Sequence, residues 1–414
     1  MKRRNFFRKV IVGGTSLMAV PVVRAFPAVL IPAEKRSENI ATPSAIPRST
    51  MQGKPETNIA KARAIPRTAD SMPGKYPGKV VTVKHSDCVV DGKPSEPAVY
   101  EMLKSCMTRL SGESDLKKAW LQFVSPQDVI GIKVNPIGGK LLSTSHAVTK
   151  SIIRQLVEAG IPEERIIIWD RRKESLEEAG YNRENYPGIQ MMSTEWYDEN
   201  NSYVNSEGRF YSEDRIDRNQ YYYADVEGEY DADTMPYMVN GGKNSYFTKI
   251  CTEKVTKIIN VPVLKNAGVS ITCCMKNLAF GAITNTGRLH QDLWHETSAE
   301  VCAFPPLRDK VVLNIVDAII GCFDGGPAAN PQFICRYDTL LAGTDPVAVD
   351  SIAFDMVLQK RIAEGVQQEE REGARKFMEI AQELGLGVTD KIECISVSNN
   401  VIANIPTLRA CEAI

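Results

Sequence analysis

Only four histidines occur in 414 residues, and the ten cysteines fall into none of the spacings that build a metal or iron-sulfur centre. The C-x-x-C-x-x-C run of a ferredoxin and the paired C-x-x-C of a zinc site are both missing, so the chain offers no iron-sulfur motif. Ten thiols in a chain this long are also too sparse for a disulfide scaffold. There is no block of basic residues, which argues against nucleic acid or anionic lipid as the main partner. No apolar run is long enough to predict a stable transmembrane anchor. What remains is ordinary globular composition, 43% hydrophobic and 24% charged, enough to bury one large core.

The first residues differ from the rest. "MKRRNFFRKVIVGGTSLMAVPVVRAFP" has a basic start, a modest apolar stretch over residues 10–23 and a small-residue cleavage site at Val23-Arg24-Ala25, the layout of a secretory signal. Arg3-Arg4 before Asn5-Phe6-Phe7 resembles the twin-arginine signal, with Lys2 where Ser or Thr is usual. Residues 1–25 are therefore expected to address the chain to the twin-arginine translocation machinery and the periplasm. Their removal leaves 44 basic side chains against 51 acidic ones, a mildly acidic mature protein of about −7. Residues 26–77, rich in Pro, Ala, Ser and Lys, read as a linker or wrapping arm.

From Lys79 onward strands alternate with helices: "KVVTVKH", "PAVYEMLKSCMTRL", "DVIGIKVN", "SHAVTKSIIRQLVEAG", "RIIIWD". That order predicts right-handed crossovers and one α/β domain over 78–414, mostly parallel and doubly wound, with flanking helices. An acidic, tyrosine-rich insertion interrupts it at 182–245. Within it, Glu227, Glu229, Asp231 and Asp233 stand at every second position, a solvated acidic face or a cation-binding one.

In open parallel sheets ligands bind beyond the carboxyl ends of the strands. The first polar residues after each apolar run are Lys133 and Asn135, Asp170, Lys265 and Asn266, and, within "NIVDAIIG", Asp317. Lys276 and Asn277 follow on a helix for which Ser270 is a natural N-cap, so Lys265 and Lys276 form a candidate anion clamp beside Asn266 and Asn277. His290 and His295 in "GRLHQDLWHE" are candidate proton carriers. The adjacent Cys273 and Cys274 point about 100° apart on a helix and read as packing. Asp170, Asp317 and His295 form a candidate divalent-metal set. Gly325 and Gly326 in "DGGPAANP" fit either a loop that a ligand approaches closely or a plain turn.

The stretches "VIGIKVNPIGG", "LVEAGIPEERIIIWDRR", "KIINVPVLKNAGVSITCCMKNLAFG", "NTGRLHQDLWH", "NIVDAIIGCFDGGP" and "LLAGTDPVAVDSIAFD" together resemble the domain-of-unknown-function 362 family. The resemblance implies an α/β fold and a shared pocket, and supplies no settled reaction. The family's usual Lys-Thr-His appears here as Lys265-Asn266-Ala267, so its histidine is replaced by Ala267; the C-terminal iron-sulfur module of many relatives is not found at the end of this chain. These residues fit three readings: an exported enzyme acting on a small anionic or polyhydroxylated molecule, a periplasmic ligand-binding or accessory protein without catalysis, and, least well, a redox or iron-sulfur-associated protein.

Overall fold

The computed structural model describes residues 54–200, 202, 204–226 and 242–398. The export signal and the Glu227 to Asp233 run lie outside them.

The N-terminal half runs α1 (Ile59–Ala64), β1 (Lys79–Lys84), the small hairpin β2 (Val89–Val90) and β3 (Lys93–Pro94), α2 (Glu96–Ser111), α3 (Leu116–Leu121), β4 (Ile130–Val134), α4 (His146–Ala159), β5 (Ile166–Arg172), α5 (Lys173–Glu178) and β6 (Gln190–Glu195). A two-stranded ribbon, β7 (Ile216–Tyr223) and β8 (Asn244–Thr248), follows. The second half holds β9 (Lys257–Val261), β10 (Val263–Ala267), β11 (Ser270–Thr272), α6 (Cys274–Ala282), α7 (Gly287–Asp292), α8 (Trp294–Glu300), α9 (Pro305–Arg308), β12 (Val311–Cys322), β13 (Ile334–Gly343), α10 (Pro346–Ala363), α11 (Lys376–Glu383) and β14 (Glu393–Ser398). No helix among the described residues is long and apolar enough to cross a membrane.

Ten strands form one sheet in the order β14-β1-β13-β12-β9-β4-β5-β6, with β10 on β12 and β11 on β10. Most neighbours are parallel; β13 and β11 run antiparallel to their partners. Successive side chains on a strand point to opposite faces. Ile130, Ile132, Ile166 and Ile168 accordingly join α2, α3 and α4 in one core, while Ile167, Trp169 and Ile258 join α6, α8, α10 and α11 in the other. The sheet is thus covered on both faces, as expected for a doubly wound fold.

Local signals set the helix limits. Ser145 caps α4 and Gly160, at φ 103°, closes it, a conformation in which a side chain would be strained. Asp345 caps α10 with Pro346 in the first position. One expectation changes and one is narrowed. The 182–245 stretch is not wholly an insertion, because its residues 190–195 form β6, paired in parallel with β5. Residues 54–77 behave as a wrapping arm: Ala62 and Met72 are fully buried in the core.

Candidate functional site

The chain proceeds outward from β4 through β5 to β6, then returns to place β9 on the other side of β4. Strands β4 and β9 therefore flank a topological switch point, where the carboxyl ends of a parallel sheet leave a crevice. Lys133 on β4 sits in register with Asn260 on β9, on the face covered by α6. Its stem passes beneath Gly281 of that helix, where a Cβ would stand 2.3 Å from Lys133 Cε. Only glycine leaves room for that side chain.

Past β9 the chain meets Pro262, which has no N–H to donate; its carbonyl accepts from Asp317 N at 2.9 Å. The bend ends β9 and starts β10, which forms a hairpin with β11 in which Lys265 faces Thr272. Helix α6 begins two residues after Thr272, so Lys265 and Lys276 come from opposite arms of one compact strand-turn-helix unit.

A buried amide network joins these lysines. Lys133 Nζ donates to Asp170 Oδ1 at 2.5 Å, to Asn277 Oδ1 at 3.0 Å and to the Val134 carbonyl at 2.8 Å. Asn135 Nδ2 donates to the same Asn277 oxygen at 3.1 Å, while Asn135 Oδ1 accepts from Lys265 Nζ at 2.9 Å. Lys265 also donates to the Ile137 carbonyl at 2.6 Å. Asn277 Nδ2 donates to Asn260 Oδ1 at 2.8 Å, and Asn260 Nδ2 to Asn314 Oδ1 at 2.9 Å. Lys276 Nζ has one hydroxyl, Thr272 Oγ1 at 3.3 Å, and lies over the rings of Phe280 and Trp294 at 5.8 and 5.4 Å.

Lys133, Lys265 and Lys276 are 1%, 0% and 6% exposed. Burying an ammonium costs several kcal/mol unless it is paired, and the network supplies the three with one carboxylate, Asp170. Burial, with the charge of Lys276 next, pushes Lys265 down to about 7; burial pushes Lys276 down to about 8. Burial also lowers Lys133, opposed by Asp170. Beside them Arg171 and Arg172 flank Glu195, at 3.5 and 4.0 Å, a fully buried carboxylate raised by burial. His290 lies against Phe280 at 4.4 Å and contacts the Thr286 carbonyl at 2.9 Å. Desolvation by its surroundings, then the Lys276 charge, lowers its pKa, while the side chain keeps an exposed edge toward solvent.

The structure brings together Lys133, Asn135, Asp170, Lys265, Lys276 and Asn277, with His290 alongside. His295 turns edge-on to Trp294 at 4.8 Å. Asp317 accepts from Ser145 N at 2.7 Å and Ile319 N at 3.2 Å, fixing the start of α4. Asn266 Nδ2 holds its own hairpin turn through Gly268 O and Ser270 O. Gly326 packs on the Asn266 carbonyl, 1.8 Å from where a Cβ would stand, and Gly325 takes φ 69°; both serve a turn against β10. Asp170, Asp317 and His295 are not gathered into a ligand set. Among the described residues the group of donors close enough to share an ion is Cys273, Cys274 and Asp350. Ser270 is not the cap of α6: it lies in β11, and Asp350 accepts from Cys274 N and Met275 N at 2.6 and 3.0 Å. Sequence reasoning missed Asn260 and Asn314. Their signal was a lone amide inside each of the apolar runs "KIINV" and "VVLNIV".

Fold and site together define an α/β protein with a buried lysine–asparagine cluster at a sheet switch point. Residues 224–355 match a family model described as "Domain of unknown function (DUF362)", which bears out the resemblance over that stretch. It contains Lys265, Lys276, Asn277 and His290, whereas Lys133, Asn135 and Asp170 come from strands before it. A crystal structure of a protein from Thermotoga maritima, solved by the Northeast Structural Genomics Consortium, is similar at 11% identity and a TM-score of 0.35, over 64% of this chain and 59% of that one. No curated protein matches.

Proposed function

We propose that the chain is an exported enzyme that binds a small organic or phosphorylated anion at the Lys133–Lys265–Lys276 cluster and uses Lys265 to accept and return a proton. The observation that carries this reading is the imbalance of three buried lysine side chains against one carboxylate. Two opposite charges 4 Å apart interact by about 4 kcal/mol at an effective dielectric of 20, so an anion here would offset much of the cost of burial. Lys133 is held by Asp170 and serves as a fixed charge. Lys276, with one hydroxyl partner and aromatic walls, is the group best placed to face a ligand. Lys265 has the pKa nearest neutrality, which suits a general base. The loop at 137–143 covers it through the Ile137 carbonyl, and Gly138 and Gly139 in that loop take φ 119° and 57°; opening there would admit the ligand.

The test is calorimetric titration with acetate, malonate and inorganic phosphate at pH 8 in buffers of differing ionisation enthalpy. A bound anion raises both lysine pKa values, so binding is expected to take up protons from solution. Lys276→Met should weaken binding at least about 100-fold, since a buried charge pair lost from one side costs about 3–5 kcal/mol, and Lys265→Met should abolish most of the proton uptake. Anions that bind equally to wild type and both variants would sink the proposal; binding with proton uptake and no turnover of any anion tried would favour the non-catalytic binder.

The twin-arginine-like start supports export in the folded state. In a fractionated culture, wild type is expected in the periplasmic fraction and Arg3→Lys/Arg4→Lys protein in the cytoplasmic one. An unchanged distribution would count against that route.

A further inference from the structure

Cys273 and Cys274 share a direction that their adjacency on a helix would forbid. Cys273 precedes α6 with φ −148° and ψ −137°, outside the helical region, so the 100° offset of successive helical side chains does not apply between it and Cys274. The two Sγ atoms lie 4.0 Å apart. The carboxylate of Asp350 reaches them from α10, accepting from the backbone N–H groups of Cys274 and Met275 at 2.6 and 3.0 Å. The sulfurs and a carboxylate oxygen all lie within 4.8 Å of one another. All three residues are 0–1% exposed.

We propose that Cys273, Cys274 and Asp350 form a site for one thiophilic divalent metal ion of the Zn2+ class. Two sulfurs bound at about 2.3 Å with a tetrahedral angle stand roughly 3.8 Å apart, close to the separation found. The sulfur separation decides between this and a vicinal disulfide, which needs about 2.05 Å. Asp350, which also caps the first turn of α6, brings a carboxylate oxygen within reach, so two thiolates and that carboxylate offer a dication three anionic donors and leave one coordination position. Cys302, whose Sγ contacts the Met275 carbonyl at 3.6 Å, is the neighbouring thiol on that side. Without metal, burial holds both thiols protonated; the ion replaces two S–H protons, which leave to solvent. The site clamps the first turn of α6, two and three residues before Lys276 and Asn277, and does not depend on what those residues bind. Its burial implies loading while the chain folds.

The experiment uses the whole mature chain, unfolded and refolded in a non-thiol reductant with equimolar Zn2+ or Cd2+. Expected are one ion retained per chain after gel filtration and, with Cd2+, near-ultraviolet charge-transfer intensity from at least two thiolates. Cys273→Ser should lower that intensity and Cys273→Ser/Cys274→Ser should abolish retention, while Cys106→Ser, in the other core, changes neither. Apparent affinity should rise by up to about 100-fold per pH unit while two protons are released. Retention unchanged in the double variant, no ion retained by wild type, or two thiols missing from unreduced metal-free protein, the mark of a vicinal disulfide, would each overturn the assignment. If the double variant does not refold, the wild-type spectrum decides: charge transfer from fewer than two thiolates overturns it.

Discussion

Arg308 and the Lys133–Lys265–Lys276 cluster are both buried cations, and they differ in how completely they are wired. Arg308 is 2% exposed, and a guanidinium has five N–H groups to satisfy. It makes five bonds: Nε and one Nη to Asp309 at 2.7 and 3.0 Å, and the rest to the carbonyls of Ala62, Ile65 and Pro66. Every donor is used, a carboxylate balances the charge, and the N-terminal arm is pinned to the domain. The lysines have nine N–H groups and six acceptors, with Lys276 the poorest supplied. Burial alone therefore does not mark function. A cation whose bonds are complete belongs to the fold, and a group of cations short of acceptors and counter-charge is arranged for something that comes from outside.

The comparison breaks most visibly under substitution. Arg308→Ala leaves Asp309 and three carbonyls without their donor, and is expected to destabilise the protein by about 3–5 kcal/mol, as removal of one partner of a buried pair does. Lys265→Met removes a charge that burial already disfavours, which offsets the loss of its bonds to Asn135 and the Ile137 carbonyl, so its net loss should stay below about 2 kcal/mol. Urea unfolding followed by fluorescence checks both. Equal losses in the two variants would mean that Lys265 is as structural as Arg308.

Much of this was readable in the residues. Polar side chains that end apolar runs picked out Lys133, Asp170 and Lys265, which the structure places within β4, β5 and β10 rather than past their ends, and Ser145, Gly160 and Asp345-Pro346 marked helix limits, because those signals act over a few residues. The rest depended on distant partners. Asp350 caps α6 from 76 residues away, so Ser270 looked like the natural cap. His290 and His295 fall on two helices divided at Leu293, which no periodicity marks. The carbonyls that satisfy Arg308 belong to an arm some 240 residues earlier, a stretch whose lack of a hydrophobic period left linker and wrapping arm both open.

The subtler difference between the two regions is their response to pH. An arginine stays charged across the usual range. Lys265 and Lys276, by contrast, are held in the folded chain near 7 and 8 against an ordinary 10.5. Between those values the unfolded chain binds more protons than the folded one, so folding releases protons and stability rises with pH. The penalty of burying charged lysines is fully present below about pH 7 and is relieved as pH climbs toward 10.5. Each lysine contributes a slope of up to about 1.4 kcal/mol per pH unit. Asp170 and Cys322 oppose this for Lys265, while Lys133 and Lys276 reinforce it. Buried thiols whose pKa is raised by burial oppose that rise as pH passes about 9, so the lysine contribution is read as a difference: ligand-free wild type should gain stability between about pH 7 and 9 in urea titrations relative to Lys265→Met/Lys276→Met, in which the rise is flattened. Anion binding should flatten it too, because a counter-charge restores the lysine pKa values. A rise that survives in the double variant would place the titrating groups elsewhere and remove the physical distinction between the lysine cluster and Arg308.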